Sequence, residues 1–100
     1  MALTLAGVTP DPAALPETAM LLPRLPLVPF GAPGSTELAA RIAAAFDEGN
    51  SLPGAVLLEL HGAVAVGARI EDALDRMELI DVLCRVWRDA ALLRAAKPAR

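Results

Sequence analysis

Aromatic side chains are scarce in this chain: of its 100 residues one is Trp, two are Phe and none is Tyr, an aromatic share of 3%. With so few rings, and a formal charge of -3, there is no basic footprint and no stacking platform for nucleic acid. A single cysteine excludes an intrachain disulfide framework, and an unpaired thiol fits a reducing compartment, with cytoplasm the default. No apolar run reaches the roughly 18 residues a membrane-spanning helix needs. The opening residues MALTLAGV have no basic flank, and Pro10 and Pro12 interrupt them before a signal peptide is complete. Neither a membrane nor a nucleic acid is an expected partner.

What is abundant is small and aliphatic: hydrophobic residues make up 55% of the chain. A domain of this size buries only a modest fraction of its surface when alone. An alanine-rich apolar composition of this kind suits part of a larger core or an oligomer subunit better than a solitary globule. The arginines scattered along the last third read as a solvated helix face.

Prolines punctuate the first third, at positions 10, 12, 16, 23, 26, 29 and 33. Each removes a backbone donor and pushes its predecessor towards extended geometry. Residues 1–14 therefore read as an extended segment, a turn of helix fits around residues 17–22, and residues 25–30 read as an edge or lone strand because Pro26 and Pro29 cannot donate to a central ladder. After GAPGST, Gly34 or Ser35 is placed to cap a helix with Glu37 in its first turn. Leu38, Ile42, Ala45 and Phe46 form its apolar stripe, Gly49 stops it, and residues 50–53 turn the chain onward.

Residues 54–67, GAVLLELHGAVAVG, hold two strand-length apolar runs with His61, the only histidine, at their junction. On a strand, Ala55, Leu57, Glu59 and His61 share one face and Val56, Leu58 and Leu60 the other. Gly62 lets the backbone reverse or lie close against a neighbour. The last helix is expected over about 70–95. One stripe carries Ile70, Ala73, Leu74, Met77, Ile80, Cys84, Trp87 and Ala91. A second, from Leu79 through Val82, Leu83, Val86 and Ala90 to Leu93, makes the helix apolar on two sides. One sheet covers only one side, so the other is expected to meet another helix, another subunit or a partner chain.

The run LLELHGAVAVG followed by IEDALDRMELIDVLCRVW resembles the closing segment of class II aldolase/adducin-type domains. LPE at 15–17 and VPFGAPGSTELA at 28–39 are similar to what precedes it there. The resemblance runs over about 15–93 and matches roughly the C-terminal half of the family domain. It implies an α/β fold: the C-terminal part of an α/β/α domain with a mainly antiparallel sheet and a long C-terminal helix, over residues 15–96, followed by a tail at 97–100. In zinc-dependent members the position of His61 is the last of three imidazole ligands of a catalytic Zn²⁺, with one coordination position left open for substrate oxygens. The implied activity is retro-aldol cleavage of small sugar phosphates, an aldehyde-lyase chemistry. The other two imidazoles and the proton-transferring glutamate lie in a segment this chain lacks, so another chain would have to supply them. The alternative the resemblance allows is a non-catalytic remnant or assembly module of the adducin-like type.

Each candidate has a plain structural reading beside it. His61 is either a metal ligand or a structural histidine at a strand end. Glu59 is either half of a metal site or a carboxylate behind one, or simply solvated; the family more often has Arg or another polar residue there, and Asn in place of Leu60. Gly34, Ser35 and Thr36 either cap a helix or hold a phosphate on backbone N–H groups. Cys84 and Trp87 read as core. Arg69 stands where the family usually has a Ser, Thr or Asp cap. No catalytic residue is assigned. The expected partners are further copies of the chain or a complementing chain, with a sugar phosphate as substrate of a completed site.

Overall fold

The computed structural model describes residues 1–47 and 54–96. The expected helix stop at Gly49, the turn over 50–53 and the tail at 97–100 lie outside the described residues. The opening segment is not extended throughout: Ala2–Leu5 is one turn of helix (α1), and Pro12–Ala14 is a 3-10 turn in which the Asp11 carboxylate accepts the Ala13 N–H. Helix α2, Pro16–Leu21, begins with proline at the position where the missing N–H costs nothing. It is anchored by Thr18, buried, with its hydroxyl within hydrogen-bond reach of the Pro12 and Leu15 carbonyls.

Three strands follow, with a helix between the first two: β1 (Leu27–Val28), α3 (Thr36–Asp47), β2 (Ala55–Leu58) and β3 (Gly62–Ala65). The sheet order is β1-β2-β3, with β1 parallel to β2 and β2 antiparallel to β3. The sheet is therefore mixed, which corrects the expectation of a mainly antiparallel one. Helix α3 is the reason. A helix crossing between two strands returns the chain in its original direction, as parallel pairing requires. The prolines around β1 are accommodated at the sheet's edge by accepting rather than donating: Leu57 N–H donates to the Pro26 carbonyl at 2.9 Å, and Glu59 N–H to that of Val28 at 3.0 Å.

Strand β2 is the centre of the fold, and both its faces are buried. Ala55 and Leu57 join Leu22, Leu25, Ile80 and Leu83 in one cluster. Val56 and Leu58 join Val28 and Leu38 in another, against which Ile42, Ala45 and Phe46 pack, so the α3 stripe is used as its periodicity indicates. The sheet thus lies between α3 on one face and α2 with the last helix on the other, an α/β/α arrangement.

That last helix, α4, is Ile70–Ala96, 27 residues and about 40 Å long. Its expected weak start is remedied by Asp72, whose carboxylate accepts the Arg69 N–H at 3.3 Å and pairs with the Arg69 guanidinium at 3.7 Å. This is the reciprocal half of a capping box without its serine. The face α4 turns to the sheet differs from expectation. Leu83, assigned to the second stripe, is fully buried with Ile80, whereas Ile70 and Leu74, assigned to the core stripe, are exposed. Gly67 sets this rotation: a Cβ there would lie 2.6 Å from Asp72 Cβ and 2.9 Å from Ala73 N. The sheet's exit therefore touches the helix on the side of Asp72, Ala73 and Arg76, which leaves Leu74 outside. Among the described residues no helix is long and apolar enough to cross a membrane.

Candidate functional site: the hairpin tip and the outer face of the last helix

His61 is exposed and does not lie on a strand. Strand β2 ends at Leu58, and Glu59, Leu60 and His61 form the turn to β3, closed by His61 N–H donating to the Leu58 carbonyl at 3.1 Å. The expectation that Glu59 and His61 continue one strand face fails because of Leu60. Its φ of 61° places it in the left-handed region and breaks the alternation of side chains. Leu60 is itself 41% exposed and does not extend the Val56–Leu58 face. A branched apolar residue in that conformation costs roughly 1–2 kcal/mol, and asparagine tolerates it better. Leu60→Asn is therefore expected to stabilise the fold by about 1 kcal/mol, read as a raised midpoint in urea unfolding. Gly62 meets nothing within 4 Å on its Cβ side, so no close approach depends on its missing side chain.

The residues around His61 are held by side-chain to backbone hydrogen bonds. Glu59 Oε1 accepts the Phe30 N–H at 3.0 Å, while the Arg41 guanidinium donates to the Phe30 carbonyl, so the chain leaving β1 is gripped on both sides. Thr4 Oγ1 accepts the Leu60 N–H at 2.9 Å, which ties α1 to the turn. Glu59 is thus not merely solvated. One of its oxygens has a structural task. Among the described residues no group of three or more His, Cys, Asp or Glu is placed to hold a metal ion, and with one histidine in the chain the family's three imidazoles cannot all come from it. The residues present do not fit a complete zinc site, and His61 stands as a single outward-facing imidazole.

Other candidates resolve into packing. Ser35 Oγ accepts the Leu38 N–H at 3.1 Å, a helix cap. Cys84 and Trp87 pack against the core cluster as expected. Burial pushes the Cys84 thiol above its ordinary value; the Met1 α-amino group opposes this and Asp81 adds to it. A thiol held protonated is a poor nucleophile.

Four contributors were invisible in the sequence. Thr4 and Arg41 act through hydrogen bonds to backbone 56 and 11 residues away, and Thr18 through bonds to carbonyls six and three residues before it. Arg76 lies against Gly54 and Gly67 and donates to the Val66 carbonyl. Only the paired glycines bracketing the hairpin hinted at it.

The outer face of α4 carries the remaining feature. Val82, Val86 and Leu93 are 48%, 42% and 70% exposed, along one side of the helix. Leu21 of α2 reaches the upper part of this side, forming a shallow groove with Leu79 and Val82 edged by Asp75 and Glu78. The expected second apolar side therefore exists, minus Leu83. From residue 91 to 96 every α4 residue is exposed, so the helix runs on beyond the sheet.

Set beside known proteins, residues 1–88 match the family model described as the Class II Aldolase and Adducin N-terminal domain. The match takes in most of the chain, starting at its first residue, and so corrects the expectation that the likeness is to a C-terminal half beginning near Leu15. No curated protein and no solved structure matches the chain.

Proposed function

Because the chain belongs to the class II aldolase and adducin N-terminal domain family, we propose that it serves as an assembly module built on that fold, joining other protein through the outer side of α4. The observation that carries this reading is the row of half-exposed or more exposed aliphatic side chains at Val82, Val86 and Leu93. Burying such a side chain from full exposure is worth roughly 1.5–3 kcal/mol, and about half of that is still to be gained at each of these positions, a sizeable sum for a domain whose total stability is of order 5–15 kcal/mol. Contact with another protein surface supplies it. Replacing Val86 and Leu93 together by Lys is expected to lower the mass in solution to that of one chain while helical circular dichroism is unchanged, since Lys favours a helix at both positions. An unchanged mass would sink the reading.

A second reading is favoured by the exposure of His61 at the tip of a pinned hairpin. Here the chain gives His61 as one ligand to a zinc site completed by a complementing chain, for aldehyde-lyase chemistry on a sugar phosphate. Alone, one imidazole leaves most zinc positions to water. Calorimetric titration of the isolated chain with zinc at neutral pH is expected to show no stoichiometric binding below micromolar Kd. Tight binding by a monomer would reveal ligands that the fold does not bring together here.

A further inference from the structure

We propose that the occupant of the outer α4 side is a second copy of this chain, its α4 lying antiparallel to the first; this rests on the assembly reading above. Leu79, Val82, Val86, Asp89, Leu93 and Ala96 follow one another at alternating steps of three and four, the seam of a two-helix packing. All lie on α4, whose described end is Ala96. The seam is apolar except at Asp89, whose carboxylate is paired, among the described residues, with the neighbouring Arg88, at 3.2 Å and with both side chains more than half exposed.

That one charge selects the orientation. In a parallel, in-register pair the two Asp89 carboxylates face each other, which is unfavourable. In an antiparallel pair centred between Arg85 and Asp89, each Asp89 lies across from the partner's Val86. The partner's Arg85, on the flank of its own seam, comes beside it. Arg85 is 68% exposed, with Asp81 as its ion-pair partner among the described residues, at 3.2 Å one turn back, and it borders Met1–Leu3 on one side, so its guanidinium can reach across. The same register sets each Leu93, on the overhanging end of one helix, opposite Val82 of the other, in the groove that Leu79 and Val82 form with Leu21. The end of α4 that has no sheet beneath it thus finds its support on the second copy. The contact is its own complement under a two-fold axis, as a closed dimer requires.

Two charge-reversed variants test this. Arg85→Glu sets a second carboxylate beside the partner's Asp89, and Asp89→Lys sets a second cation beside the partner's Arg85. Each alone is expected to sediment as a monomer. A one-to-one mixture is expected to regain the dimer mass, because in the mixed pair one of the two contacts joins the new carboxylate to the new ammonium and the other keeps the original Arg85 and Asp89. Both positions are exposed and both replacements favour a helix, so circular dichroism is expected to match the unaltered chain. If the unaltered chain is itself a monomer, this proposal and the assembly reading both fail. If it associates but the single variants do too, or the mixture stays monomeric, the antiparallel pair is wrong and the assembly reading stands with a different packing between copies.

Discussion

Leu57→Asp is expected to unfold the chain, whereas Glu59→Gln, two residues on, is expected to leave its stability within about 0.5 kcal/mol. Leu57 is 5% exposed at the centre of β2, and its side chain lies among Leu22, Leu25, Ile80 and Leu83. Every buried member of that cluster is apolar, so a carboxylate there is either ionised without a counter-charge or protonated against its ordinary preference. Either state costs several kcal/mol, and the lost apolar burial adds roughly 2 kcal/mol. Together these approach the whole stability expected of a domain this size. Glu59 keeps its task when changed to Gln, because the amide oxygen still accepts the Phe30 N–H. Circular dichroism and urea unfolding of the two variants check the contrast. Equal stability would mean that β2 is not a packed central strand.

Leu83→Ala is expected to cost about 2–5 kcal/mol, the usual range for truncating a fully buried leucine, while Leu74→Ala costs less than about 1 kcal/mol. Leu83 has no exposed surface and Leu74 is 55% exposed. The pair separates the two possible faces of α4. Periodicity alone assigns Leu74 to the core and Leu83 to the outer side, and the reverse holds in the folded chain. Thermal or urea midpoints of both variants decide it, and a larger loss for Leu74→Ala would contradict the helix orientation.

Much of the fold can be read from local chemistry. Prolines mark β1 as an edge strand, Ser35 marks the α3 cap, and the spacing of Leu38, Ile42 and Phe46 marks the face of α3 that packs on the sheet. The two apolar runs around His61 mark a hairpin. What escapes local reading depends on distance or on a residue that gives no sign. Parallel pairing of β1 with β2 is decided by the crossover of α3, not by anything in LV or AVLL. The turn at His61 hinges on a leucine with positive φ, and leucine does not advertise that conformation. Glu59 and Leu60 are committed to partners 29 and 56 residues away. The rotation of α4 follows from the contact of Gly67 with Asp72 and Ala73, where the informative feature is a missing side chain.

The candidate site divides the same way. The sequence pattern singles out His61 and the second stripe of α4, and of these His61, Val82, Val86 and Leu93 are exposed. It does not foretell that Glu59 is occupied by the Phe30 backbone, nor that Leu83 leaves the stripe for the core. With Leu83 gone, the outer side narrows to the seam of Leu79, Val82, Val86 and Leu93, narrow enough to be covered by one helix.

The central claim is that this outer side is covered by protein. Sedimentation equilibrium of the unaltered chain, from low micromolar concentration upward, tests it most directly. A mass above the 10.4 kDa of one chain is expected, with dissociation on dilution. A folded chain that stays at 10.4 kDa throughout would contradict it.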